Sequence, residues 1–151
     1  MTDLTILTVR ELTADRDLAE NHCAFLKSIV DAMEQSEDTL SPAERQRLHE
    51  TKHRLSDVQN FLHGVEEKLP CAIAKLSAMI DGASNLTVMQ KAVLTEYYID
   101  LHPLKVIGTE LGLNPSAYYK LHTQARAAFC DFYHLPRIKD GRGRRKNTTS
   151  F

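Results

Sequence analysis

Residues 86–132 read LTVMQKAVLTEYYIDLHPLKVIGTELGLNPSAYYKLHTQARAAFCDF, and the order of caps, breakers and apolar positions in this stretch decides the fold. Thr87, with Gln90 three residues on, is a capping-box signature, and Val88, Val93, Leu94, Tyr97 and Tyr98 follow at roughly helical spacing. That spacing predicts a helix ending near Asp100. His102 and Pro103 break it, because the residue before a proline is pushed out of the α region and proline itself fits only a first helical turn. A short second helix has Leu104, Ile107 and Leu111 as core positions and stops at Gly112, a natural left-handed residue, after which Leu113 closes the corner. The third helix starts with Asn114 as cap, Pro115 in the first helical position and Ser116 behind it. Its core stripe is Tyr118, Leu121, Ala125, Phe129 and Phe132, at spacings of 3, 4, 4 and 3.

The opposite stripe of this third helix is Ser116, Lys120, Thr123 and Ala127, flanked by Tyr119. It is small, polar and weakly basic, with no large aliphatic side chain to hide. Three short helices in this order form a helix-turn-helix unit, whose last helix enters a major groove, so double-stranded DNA is the expected partner.

The same residues carry a resemblance. The stretch resembles the fourth conserved region of bacterial sigma-70 factors, in which an L-T-x-x-Q/E-x-x-V-L helix precedes a helix-turn-helix; the matching residues are Leu86, Thr87, Gln90, Val93 and Leu94. More narrowly, Tyr98, Ile99, Asp100 and Pro103, then Ile107, Leu111, Asn114, Ser116, Tyr118, Tyr119, Lys120 and Ala125, resemble the ArpU-type phage late-gene transcriptional activators. Members of that family are small phage or prophage regulators with a sigma-like carboxy-terminal domain. The resemblance implies that Ser116, Tyr119 and Lys120 occupy base-reading and phosphate-contacting positions, and it brings in RNA polymerase as a second possible partner. In one respect the chain departs from the pattern: sigma-like recognition helices carry more arginine here, and Lys120 stands rather alone.

Composition fits a small regulator. A chain of 151 residues buries roughly 68–70% of its unfolded surface as one domain, enough for a core. The net charge of -1 hides a split, with 8 Lys/Arg against 14 Asp/Glu in residues 1–70 and 11 against 6 in residues 71–151. The second half is the one suited to a polyanion. No apolar run approaches the ~18 residues of a membrane span, and MTDLTILTVREL has no charged leader with a long apolar core, so a cytoplasmic protein with no membrane contact is expected. Cys23, Cys71 and Cys130 are odd in number and form no C-x-x-C pair, which suits a reducing compartment.

The first eighty residues read as helical. Leu18, Phe25, Leu26, Ile29, Val30 and Met33 predict an amphipathic helix from about Asp15 to Gln35. After the polar loop QSEDTL, Ser41, Pro42 and Glu44 supply cap, first-turn proline and capping-box acid for a second helix. From there Leu48, Thr51, Leu55, Val58, Leu62, Val65, Leu69, Ala72, Leu76, Met79 and Ala83 alternate spacings of 3 and 4 with one polar exception, the pattern of a coiled-coil seam. Gly64 and Pro70 interrupt it at a cost of about 1 and 3 kcal/mol. Because the register survives both, a kink near Pro70, or two helices meeting at a short bend, is expected. Two partners for the stripe fit equally: the helix from Asp15 folding back as a hairpin, or a second chain in a homodimer. The expected fold is therefore all-α, with an amino-terminal helical hairpin or coiled coil in residues 1–83 and a sigma-70 region 4-like helix-turn-helix domain in 84–135.

Residues 136–151 change character again, with six Lys or Arg against one Asp and no apolar periodicity, and are expected to form a disordered basic tail. Arg137, Lys139, Arg142, Arg144, Arg145 and Lys146 can each neutralise a phosphate, and Arg142, Arg144, Arg145 and Lys146 are the expected contact residues. The Arg142, Gly143 and Arg144 run also looks like the centre of a minor-groove AT-hook. His49 and His53 stand four apart on a helix with no third ligand at a suitable spacing, so neither a metal nor another cofactor is expected. Cys130, beside a core phenylalanine, reads as a small buried hydrophobe. With no glycine-rich phosphate loop, nucleophilic triad or acidic pair in an apolar setting, no enzyme activity is expected. The function this supports is sequence-specific DNA binding by a dimeric transcriptional regulator. A sigma-like factor that acts only with RNA polymerase, or an adaptor that has lost DNA binding, are the alternatives.

Overall fold

Ser41 starts a helix as its side chain predicts: its hydroxyl accepts from Glu44 N–H at 3.2 Å while the Glu44 carboxylate accepts from Ser41 N–H at 3.0 Å. Those backbone and hydroxyl bonds hold the Glu44 carboxyl below the usual carboxylate range. In the computed structural model, which describes residues 5–138, five α-helices follow one another: α1 Thr8–Gln35, α2 Pro42–Gly82, α3 Val88–Tyr98, α4 Leu104–Glu110 and α5 Pro115–Phe132. A single 3₁₀ turn, Glu37–Thr39, joins the first two. The fold is all-helical, with no strand among the described residues, and none of the described helices is long and apolar enough to cross a membrane.

The chain divides into two compact units. One is Thr8–Ile73; the other comprises Ala74 onward together with the residues before Thr8. The boundary expected between 83 and 84 thus falls ten residues earlier, because Leu76, Ile80 and Ala83 at the end of α2 are buried in the carboxy-terminal unit.

In Thr8–Ile73, α1 and α2 lie against each other. Glu34 pairs with Lys52 at 3.1 Å, and Asp15, Leu18, Ala19 and His22 share a groove with Asp57, Val58 and Phe61. The apolar stripe of α2 is covered in part within the chain: Leu48, Thr51, Val65, Leu69 and Ala72 are buried, Leu55, Val58 and Leu62 are half-buried, and the Thr51 hydroxyl is satisfied by Arg47 O at 2.8 Å. Helix α1 differs from expectation in two ways. It begins at Thr8 rather than near Asp15, and its inward face is Val9, Leu12, Arg16, Ala19, Cys23, Leu26, Val30 and Met33, again in alternating steps of 3 and 4. Leu18 and Phe25, taken from the sequence as core positions, fall just off that stripe and are 70% and 62% exposed. Arg16 lies in the seam, its Nε buried without a hydrogen bond, and pairs with Asp17 (3.4 Å) and Glu20 (3.9 Å). Pro70 neither ends nor divides α2, which is one continuous helix through Gly64 and Pro70.

In the other unit the local signals act as their chemistry requires. Thr87 and Gln90 form the reciprocal capping box, with bonds of 3.1 and 3.0 Å. Replacing Thr87 with alanine removes one acceptor for an otherwise orphan N–H, and urea denaturation should show a loss of about 1 kcal/mol that Thr87→Ser restores. Helix α3 ends two residues before the expected Asp100, and Val88, at its first position, is exposed. Gly112 (φ 70°) ends α4: its N–H bonds Thr109 O and Leu113 N–H bonds Gly108 O, which satisfies the last carbonyls. Asn114 Oδ1 accepts from Ala117 N–H at 2.9 Å to open α5. Helices α3, α4 and α5 pack on one another around Val93, Leu94, Tyr98, Ile107, Tyr118, Ala125 and Phe129. The end of α2 is tied to this cluster by Lys91 Nζ on Asp81 O (2.8 Å) and by the Tyr133 hydroxyl on Met79 O. Phe132, expected in the core stripe, is 37% exposed. Cys130 is buried, as expected of a small hydrophobe, and so is His122, which the 3-4-4-3 stripe does not include.

Candidate nucleic-acid interface

The contact that positions the site is between α4 and α5. Gly108 lies so close to the Tyr118 ring that a Cβ on it would stand 1.9 Å from Tyr118 Cδ2. Only glycine lets the two helices approach this way, and the approach directs the opposite side of α5 to solvent. Ser116, Tyr119, Lys120 and Thr123 are all exposed there, together with Gln124, while Ala127 is half-buried. The four expected contact residues of α5 therefore share one free surface. Tyr119 leans on the buried Tyr118, with ring centroids 5.0 Å apart, which restricts its ring without covering it. From α4, Lys105 and Val106 are exposed; the Thr109 hydroxyl is turned inward onto Lys105 O at 2.9 Å.

Two further cations border this surface: Arg126, which was not among the expected contacts, and Arg137, expected only as a phosphate-neutralising residue of the basic tail. Thr123, Arg126, Ala127 and Cys130 of α5 line a shallow hollow of about 200 Å³ with Arg137 and Ile138, which follow the helix. Arg126 comes three residues after Thr123, one helical turn on, and that spacing was the available signal. It falls between the polar stripe and the core stripe and belongs to neither. Arg137 is held by Asp131, Nε to Oδ1 at 3.0 Å with a second bond beside it, and this pairing keeps the Asp131 carboxyl below the usual carboxylate range. The remaining expected contacts, Arg142, Arg144, Arg145 and Lys146, lie outside the described residues.

Beneath this surface, Tyr98 and His122 form a buried polar pair, hydroxyl to Nε2 at 3.0 Å with nearly parallel rings. Burial pushes the Tyr98 phenol up to about 12, against the pull of the Arg126 charge. Burial likewise raises the Cys130 thiol, which fits a packing role better than a nucleophilic one. Tertiary structure also makes an acidic pair that no sequence spacing announces. Glu96 of α3 meets Glu110 of α4, and partial burial, then the hydrogen bond and charge of Glu110, hold the Glu96 carboxyl above its ordinary value while His102 draws it down.

No protein-family model, curated protein or solved structure matches the chain. The likeness of residues 86–132 to sigma-70 region 4 and to the ArpU-type activators is thus a likeness of the residues quoted above.

Proposed function

We propose that the chain is a sequence-specific DNA-binding transcriptional regulator, of the phage or prophage late-gene activator kind that the 86–132 resemblance implies. In this reading α4 and α5 are the helix-turn-helix of a sigma-70 region 4-like domain, α5 is the recognition helix, and α1 with the first part of α2 is a helical hairpin module. The observation that carries the reading is the free face of α5, where Ser116, Tyr119, Lys120 and Thr123 are exposed together on the side away from the Gly108 contact. Short polar groups and a single cation suit base edges and a phosphate in a major groove. Arg126 and Arg137 supply charge along the rim, and the basic tail adds sequence-independent affinity.

A duplex selected from random sequence by the purified protein provides the test. Lys120→Ala should raise Kd about tenfold on that duplex and lower the slope of log affinity against log salt by about one. Unchanged affinity and slope in the variant would remove α5 as the reading helix. Binding that appears only on addition of core RNA polymerase would assign the chain to the sigma-like class instead.

A further inference from the structure

The stripe between α1 and α2 is buried or half-buried within the chain, yet Thr8–Ile73 keeps beside it a second surface that carries large exposed apolar side chains. On α1 the outer positions are Glu11, Asp15, Leu18, His22 and Phe25; on α2 they are Arg54, Asp57, Phe61, Gly64 and Lys68, in steps of 3 and 4 on both helices. Leu18, Phe25 and Phe61 are 70%, 62% and 53% exposed, and a groove of about 390 Å³ runs between the helices at Leu18 and Phe61. Large apolar side chains gathered in this way mark an interaction surface.

We propose that this outer face, and not the heptad seam, is where a second copy of the chain docks, so that two helix pairs close into a four-helix bundle. The argument for a second copy is self-complementarity. The outer stripe of α1 carries Leu18 and Phe25 with Glu11 and Asp15 at its acidic end and His22 between; that of α2 carries Phe61 with Arg54 and Lys68 on either side and Asp57 at the level of His22. A copy turned by 180° about an axis parallel to the helices lays α1 on the partner's α2 at the same level. Leu18 then meets the partner's Phe61, Glu11 meets the partner's Lys68, and Phe25 meets the partner's Arg54, a cation over a ring. Gly64 supports the same occupant. A mid-helix glycine costs about 1 kcal/mol relative to alanine, and no atom of the chain lies within 4 Å of the Cβ it lacks. Nothing inside the chain uses its smallness, whereas a helix docking on the groove does. Bundles of this kind bury apolar stripes with charged flanks, as these helices present them.

The inference goes beyond the DNA reading and does not depend on it. Sedimentation equilibrium of the full chain should give twice the 17.1 kDa chain mass. Phe61→Asp should shift it to the monomer with helix content unchanged by circular dichroism. Glu11→Lys should weaken the dimer about fivefold or more, and adding Lys68→Glu to the same chain should restore it, since the charges then pair in the reverse sense. A monomeric wild type at ~100 μM, or a double reversal no tighter than Glu11→Lys alone, overturns the proposal. A monomer whose DNA binding still depends on Lys120 overturns the dimer and leaves the DNA reading standing. A dimer without DNA affinity does the opposite.

Discussion

Gly108→Ala should destabilise the carboxy-terminal unit by about 3 kcal/mol, although alanine is the better helix former by nearly 1. The added Cβ would stand 1.9 Å from Tyr118 Cδ2, 2.6 Å from Cε2 and 2.7 Å from Cγ, the flank of a buried ring and not the tip of a flexible chain. Relief requires either the ring to leave its pocket or α4 to lift from α5. Either movement disturbs Ile107, whose neighbour makes the contact, and re-aims the free face of α5. Tyr118→Ala alone should cost about 3–5 kcal/mol as a core truncation. In that background the clash is gone, and Gly108→Ala should become neutral or stabilising by up to ~1 kcal/mol through helix propensity. The informative quantity is this change of sign, read from urea midpoints of the four proteins. Equal penalties for Gly108→Ala with and without the Tyr118 ring would mean that the close approach of α4 and α5 is not what the glycine serves.

That contact also marks the limit of what sequence reading reaches. The start and stop signals in residues 86–132 were legible: the Thr87 box, a break before Leu104, the Gly112 stop and the Asn114 cap. Each depends on a few neighbouring residues and on no distant partner. Gly108 was not legible, because inside a helical pattern a glycine looks only like a cost until the residue opposite is known. In α1 the expected Leu26, Ile29, Val30 and Met33 do face inward, but the first part of the helix differs for a related reason. Its true seam includes Arg16, Ala19 and Cys23, which look polar or small, while Leu18 and Phe25 advertise a face that the chain itself leaves exposed. The unit boundary after Ile73 was hidden because the 3-4 rhythm of α2 continues through it and only its covering changes.

The candidate site divides the same way. Ser116, Tyr119, Lys120 and Thr123 share a face by helical periodicity alone, so four positions on one helix sufficed to find them. Arg126 was within reach of the same periodicity, whereas placing Arg137 beside it required the chain after α5, and the meeting of Glu96 with Glu110 required α4 to pack on α3. Such pairings come from packing. With Lys120 as the one cation on the exposed face of α5, these guanidiniums add to the charge that the proposed function would use.

The second large effect concerns Tyr98 and alkaline pH. Its hydroxyl is buried on His122, and its phenol is pushed up to about 12 from an ordinary value near 10. The folded chain therefore holds this proton more tightly than the unfolded chain does. The stabilisation is fully present below pH ~10, where both states are protonated, and is lost as pH rises toward ~12, where only the unfolded state has already released the proton. A shift of this size corresponds to about 2–3 kcal/mol of stability lost across that window. Tyr98→Phe separates this from the titration of every other group. At pH 8 the variant should be less stable by about 1 kcal/mol, since His122 loses its buried partner. It has no phenol to ionise, so its stability should fall less steeply, and the two curves should cross near pH ~11. Parallel curves up to pH 11.5 would show that Tyr98 ionises as readily folded as unfolded, and that water reaches the Tyr98–His122 pair.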